Sequence, residues 1–293
     1  MRLPASGQGE ALAVWVLWAL VLTAVVVTYT RLPVEELYRV DEGGLAGGLG
    51  RALVLVNFPI ALAAIALVLV ALDALPRSAW WAGGPAIALC AVIVLPGVID
   101  ELDLDARPVN AAPGLGVGLA LGLTLAAARR AGAGFAPRRR FDSLRGVVTL
   151  AIVLLSLPWI AADLGVTFPE GIFLTERLGR DDDGSLIAAV HVGHHHGWDG
   201  ALLVLTVLLL TRVRLRSPRL AVAHGVWLGA LLAYGLVNMA QDFWLEQVVK
   251  RGWVEWEIPG ALRPDLTATW LVIVALAAVV GTAFTSRGFG LRD

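Results

Sequence analysis

Four of the five histidines of this chain lie in one ten-residue stretch, HVGHHHGWDG. On a helix that turns 100° per residue, His191, His195 and Asp199 are successive i, i+4 neighbours along one face. His194 flanks that face, whereas His196 points about 100° away from His195. Two histidines at this spacing can present imidazole nitrogens to one metal ion, and an aspartate can be a third ligand or fix a histidine tautomer. The spacing predicts a metal site held by His191, His195 and either His194 or Asp199.

The expected cofactor is a divalent metal. Imidazole and carboxylate ligands suit zinc best, with iron or copper as alternatives. A further ligand or a general base must come from another part of the chain, and Asp242 and Glu101 are the candidates for these catalytic roles. Both lie where an apolar stretch of sequence ends.

Composition indicates the kind of fold that must position these residues. The chain has 293 residues, of which 58% are hydrophobic and 16% charged, and its mean hydropathy is +0.75. These values are typical of a polytopic integral membrane protein. The charges cluster and leave eight apolar stretches, each able to cross a hydrocarbon layer of about 30 Å as a helix. We therefore expect one all-α membrane domain over 1–293. Its helices are predicted at roughly 11–30, 52–72, 78–99, 108–128, 146–162, 186–211, 220–241 and 266–286.

The loops predict the orientation of these helices. The segments 129–145 and 212–219 are rich in arginine, whereas the segments 100–105 and 163–183 are rich in aspartate and glutamate. Short cytoplasmic loops collect Arg and Lys, so the arginine-rich segments should be cytoplasmic. Alternation then places both termini in the cytoplasm and the histidines in the extracytoplasmic half of a multi-pass cell-membrane protein.

The start of the sixth helix decides how deep the histidines lie. If that helix covers 186–211, the histidines enter the membrane, where ionisable groups are costly and usually functional. In the alternative interpretation the helix starts near Gly197, and HVGHHHG is a hydrated turn at the interface. Only the eleven residues 201–211 would then remain, too few to span unaided. The longer helix is therefore the prediction.

Two other features narrow the possible functions. The single cysteine, Cys90, excludes a disulfide framework and a thiolate metal site. The net charge of −1 indicates no nucleic-acid partner. The tryptophan-rich segment 243–258 resembles an interfacial helix, which would serve as an anchor or as a ledge for lipid entry.

Together these observations favour a membrane metalloprotein, and in particular a metal-dependent hydrolase that acts on a lipid-like substrate. Two alternatives remain open. One is a transporter or channel for protons or divalent cations, in which the histidines and carboxylates form a relay. The other is a non-catalytic metal-binding subunit of a membrane complex. The oligomeric state, the substrate and the role of segment 243–258 are not indicated by the sequence.

Overall fold

The computed structural model describes residues 7–34, 43–95, 109, 111–166, 178–180, 186–188, 192–262, 264 and 266–285. This part of the chain is mostly helical and contains one short two-stranded ladder. The α-helices are α1 (Gln8–Arg31), α2 (Gly44–Leu55), α3 (Ala61–Ala74), α4 (Trp80–Ala91), α5 (Ala111–Ala131), α6 (Asp142–Leu155), α7 (Leu157–Asp163), α8 (His196–Leu210), α9 (Pro218–Trp244) and α10 (Ala268–Thr285).

Shorter elements complete the path of the chain. A π-helical turn at Val56–Ile60 joins α2 to α3, and a second at Leu245–Val249 continues α9; turns of 3₁₀ helix lie at Arg77–Ala79 and Val92–Val94. The first π turn contains Pro59, which lacks the N–H that a regular α-helix needs at that point. Strands β1 (Leu178–Arg180) and β2 (Leu186–Ala188) pair antiparallel, with Gly179 opposite Ile187.

The prediction of a helical fold with several helices apolar enough to cross a membrane is confirmed, whereas the predicted count of eight spans is not. Within the described residues, six helices are long and apolar enough to cross a membrane. A seventh span is obtained if α6 and α7, which meet at a 56° bend, count as one. The remaining predicted segment contains α8, an apolar helix of 15 residues. By length and composition, the described residues therefore contain six or seven candidate spans, compared with the eight predicted.

The sixth predicted helix begins later than expected. We expected it over 186–211, whereas β2 occupies its first residues and α8 starts only at His196. Gly193 has a φ of 126°, which no helical residue adopts, and His195 is extended at φ −109° and ψ 145°. Glycine at 193 thus permits a break that places His194 and His195 in irregular chain. The expectation that His191 and His195 lie one turn apart on the same helix is therefore wrong, because α8 begins only at His196.

Two helices carry the core beneath the site. Every residue of α3 from Ala61 to Leu72 is buried, and this helix packs against α4, α5 and α9. Helix α8 packs mainly along α9. The two helices can approach closely because Gly200 has no side chain. A Cβ at this position would lie only 2.5 Å from the carbonyl oxygen of Gly235. This contact sets the beginning of α8 against the last turns of α9.

Candidate metal centre

Three buried side chains converge where α8 begins and α9 ends. His195, Asp242 and Glu246 each offer one ligand atom, and these atoms all lie within 4.8 Å of one another. The Nδ1 atom of His195 is 4.0 Å from Oδ2 of Asp242. The three residues are 5%, 1% and 3% exposed, respectively. This is a buried His/Asp/Glu group that could hold a metal ion.

Helix α9 and its π-helical extension place both carboxylates. Asp242 lies in the last turn of α9, and Glu246 follows it by four residues inside the π turn Leu245–Val249. Residues four apart lie on the same side of a helix. Single π turns inside α-helices are often found at functional sites. The two acids therefore face His195 from one helix.

The N-terminus of α8 holds Asp242 in position. Oδ2 of Asp242 accepts a hydrogen bond from the backbone N–H of Gly197 at 3.1 Å. Oδ1 lies 3.2 Å from Nδ1 of His196. Since free N–H groups and the helix dipole favour an anion at this end of a helix, the charge of Asp242 is stabilised there. A side chain at 197 would overlap Asp242 and the ring of Trp159, which is why glycine occupies this position.

His196 contacts Asp242 from the solvent side. Its Nδ1 faces Asp242, and its Nε2 lies within hydrogen-bond distance of Oε1 of Gln241. The His196 side chain is 23% exposed, compared with 4% for His195. An imidazole that orients a ligating carboxylate in this way is a typical partner at the edge of a metal site.

The two carboxylate oxygens of Glu246 differ in their partners. Its Oε1 is paired with Nζ of Lys250, one turn further along the chain. Its Oε2 is buried and has no hydrogen-bond partner within the described part of the chain. A buried carboxylate oxygen without a donor carries a large desolvation cost. A cation between Glu246 and His195 would remove that cost.

His194 belongs to a second polar cluster beside the first. Its Nδ1 is 2.7 Å from Oδ1 of Asp163, and its Nε2 is 2.7 Å from Oδ1 of Asp199. Burial alone would lower the pKa of His194, but the two nearby carboxylates, Asp199 first and then Asp163, raise it to about 10. The ring is therefore a buried imidazolium held between two acids.

The backbone of His194 is also fixed. Its N–H donates to the hydroxyl of Tyr29 at 2.9 Å. Its carbonyl oxygen accepts from the guanidinium of Arg51 at 3.2 Å. Through these contacts α1 and α2 hold the irregular segment that carries His195.

The structure divides the residues expected at the metal site into three groups. His195 and Asp242 come together, as a shared centre requires. His194 and Asp199 lie in the neighbouring cluster, where both ring nitrogens of His194 already contact carboxylates. His191 and Glu101 lie outside the described residues.

Two site residues were missed by sequence reasoning. Glu246 shares a helix side with Asp242 at i, i+4, and this spacing in QDFWLEQ was a usable signal. The second is Asp163, the last residue of α7, which is 2% exposed and bonded to His194. No local pattern distinguishes such an aspartate, because its partner lies 31 residues away.

Comparison with other proteins adds no name to this site. The chain matches no protein-family model, no curated protein and no solved structure.

Proposed function

We propose that this chain is a membrane metalloprotein that binds one divalent cation between His195, Asp242 and Glu246. The observation that carries the proposal is the convergence of three buried ligand atoms within 4.8 Å. One of the three residues, Glu246, also retains a buried oxygen without a donor in the described chain.

Charge balance supports a cation at this place. Asp242 and Glu246 bring two negative charges into a buried site, and Lys250 supplies one positive charge to Glu246. Asp242 is contacted by the N–H of Gly197 and by the ring of His196 rather than by a Lys or Arg side chain. Buried charges persist where they are paired or coordinate a metal. A divalent cation would meet this requirement and would bind all three ligands.

The ligand set favours zinc. Imidazole nitrogen and carboxylate oxygen are both zinc ligands, and catalytic zinc sites use three protein ligands with a fourth position open. Iron and copper remain alternatives, because imidazole binds both. The ligands need only a small movement to close around an ion, since zinc–ligand bonds of about 2 Å bring donor atoms to within roughly 3.5 Å of one another.

Hydrolysis of a lipid-like substrate is the activity we propose for this centre. A bound zinc ion supplies a Lewis acid that activates water toward an ester or amide carbonyl. Asp242 would be kept in its ligating orientation by Gly197 and His196, and the partly exposed ring of His196 would carry a proton between the site and solvent. Glu101 remains the candidate general base. A lipid-like substrate fits because Asp242 and Glu246 lie at the end of the span Pro218–Val249.

We propose the extracytoplasmic side for this end of the bundle. The arginine-rich segments lie at the opposite ends of α5 and α8, and arginine-rich loops are retained in the cytoplasm. The histidines would then face outward.

Transport of protons or divalent cations is the second candidate. The observation that favours it is His194, whose two ring nitrogens bridge Asp163 and Asp199 next to the metal ligands. Against it stands the apolar core: along the described α3, residues 61–72 are all buried Ala, Leu, Ile or Val, and they offer no steps for a proton or an ion.

Metal content tests the proposed site. The full chain, purified without a histidine tag, should hold about one equivalent of zinc by elemental analysis, and Glu246→Gln should lower the affinity by about 100-fold or more, because a ligand matters more than its outer partners. Glu257→Gln is the matched control, since Glu257 is exposed in the segment after α9. Equal metal content in a folded Glu246→Gln variant and in the wild type would defeat the proposal.

Activity distinguishes hydrolysis from transport. Metal-loaded protein in detergent should cleave a fluorogenic lipid ester or amide, and Glu246→Gln should abolish the cleavage. Proteoliposomes that show a zinc or proton flux lost in the same variant, with no cleavage in detergent, would instead establish the second candidate.

A further inference from the structure

The opposite end of the bundle carries a second charged cluster, which the metal site does not use. Four arginines lie there beside two acids, and we call them the arginine cluster: Arg139, Arg145 and Arg212 contact Asp142, and Arg214 follows Arg212 by two residues. The acids are Glu10, at the start of α1, and Asp142, at the start of α6. The cluster therefore joins helix ends that are distant in sequence.

Two of the four arginines are fully engaged. Arg212 donates from Nε to Glu10 at 3.1 Å and from Nη2 to the carbonyl oxygen of Ala136 at 2.9 Å, and it also pairs with Asp142. Arg145 pairs with Asp142 at 2.9 Å and donates to the hydroxyl of Thr211 at 3.1 Å. These bonds use both carboxylates.

The other two arginines are not engaged. Within the described residues, the guanidinium groups of Arg139 and Arg214 have no hydrogen bond and no ion pair, although the backbone N–H of Arg139 donates to Asp142 at 2.8 Å. Two carboxylates balance two of the four guanidinium charges, so two positive charges remain. The pKa of Arg139 is lowered by its burial and then by Arg214, the charge that acts on it most strongly. Arg139 is thus partly buried and repelled by the charge of Arg214, which is itself exposed.

The position of the cluster indicates what would relieve this repulsion. Helix α5 ends at Ala131, α8 ends at Leu210, and α6 begins at Asp142. The cluster therefore lies where membrane helices end, at the level of lipid headgroups. Next to it, Phe135, Phe141 and Leu144 expose 61%, 40% and 58% of their surface. Apolar side chains beside unpaired arginines fit a lipid, which brings both a phosphate and hydrocarbon, better than a free anion.

We propose that Arg139 and Arg214 bind the phosphate of an anionic lipid headgroup at this end of the bundle. Guanidinium groups bind phosphate oxygens in pairs of parallel hydrogen bonds. Phe135, Phe141 and Leu144 would contact the adjoining glycerol and acyl chains. On the proposed orientation the site faces the cytoplasmic leaflet, where anionic lipids are concentrated. This proposal does not depend on the metal site.

The test compares two double variants with equal loss of charge. The full chain in a neutral detergent is titrated with phosphatidylglycerol and followed by native mass spectrometry. The variant Arg139→Gln with Arg214→Gln should bind the lipid about thirtyfold more weakly, the effect of removing two arginines from a headgroup. The control is Arg129→Gln with Arg130→Gln, since both of these arginines are exposed in the last turn of α5. The control should retain affinity within about threefold of the wild type, because a distant charge contributes less than direct contact.

Two outcomes would overturn the proposal. One is an equal loss of phosphatidylglycerol binding in both double variants, which would mean a diffuse basic surface. The other is displacement of the lipid by an equal concentration of inorganic phosphate, which would mean a free-anion site. Both double variants should remain folded, and thermal unfolding should show the Arg139→Gln, Arg214→Gln variant at least as stable as the control, because no guanidinium bond is removed and the repulsion between residues 139 and 214 is relieved.

Discussion

At the arginine end of the bundle the buried acid Glu10 is surrounded by donors, whereas at the histidine end the buried acid Glu246 keeps one oxygen without a donor in the described chain. Glu10 is fully buried and accepts hydrogen bonds from Arg212 and from the N–H of Ala136. Glu246 is equally enclosed, but one of its oxygens meets no donor among the described residues. The first arrangement is complete within the described residues, while the second keeps an open buried acceptor that the proposed cation would fill.

This difference separates a structural use of buried charge from a binding use. A buried acid that is fully hydrogen-bonded ties elements together and has no capacity left for a ligand. A group of acceptors held close by the fold stores electrostatic strain, which a ligand of opposite charge relieves. The same argument applies with opposite sign to Arg139 and Arg214, where the excess charge is positive and an anion would relieve the repulsion.

The largest effect is expected from breaking the complete arrangement. Glu10→Ala should lower the free energy of unfolding by about 3 kcal/mol, the lower end of the range for a broken buried pair, because Arg212 keeps Asp142. Chemical denaturation in detergent measures this change. Exposed Glu257 provides the control, and Glu257→Ala should change stability by less than about 0.5 kcal/mol. If the Glu10→Ala variant were as stable as the control, the contacts of Glu10 with Arg212 and Ala136 would have no structural role.

Zinc should stabilise only those proteins in which the proposed metal site is intact. Zinc at about 100 times its dissociation constant should raise the stability of the wild type by about 2.7 kcal/mol, and that of Glu246→Gln by far less. Glu10→Ala should gain the full increment, because the 15 residues of α8 separate the two ends by about 22 Å and distant effects add. Denaturation with and without zinc measures all three proteins. An equal gain in the Glu246→Gln variant would show that zinc binds elsewhere.

The smallest effect tests how closely α8 must approach Asp242. Gly197→Ala places a methyl group against Trp159 and the Asp242 carboxylate, so we expect a loss of about 1 to 3 kcal/mol in stability and weaker zinc binding. Gly118 in α5 has open space around it, and Gly118→Ala should leave both quantities unchanged or raise stability, since alanine favours a helix. Unfolding and metal titration compare the two. Zinc affinity unchanged in Gly197→Ala would mean that the close approach of α8 to Asp242 at residue 197 does not position the ligand.

Some features of this protein follow from local sequence. Long apolar runs between charges specify helices of membrane type, because hydrocarbon length and helix rise are fixed quantities. His195 and Asp242 could be named in advance, since ionisable residues next to apolar runs are costly and rarely incidental. The start of α8 could not, because the competition between a long helix and a turn at Gly193 depends on what packs around it.

Other features were decided by tertiary structure alone. Which histidine meets which acid depends on the approach of α8 to α9 at Gly200 and Gly235, and on a break that turns His194 toward Asp163 and His195 toward Asp242. The arginine cluster likewise joins Glu10 to Arg212 across 202 residues. Hydropathy and spacing act within one segment, whereas charge pairing is decided by distance in space. The sequence therefore determined the kind of protein and its polar residues. Only the packing of the helices brought those residues together as the arginine cluster with its two acids and as a candidate metal site.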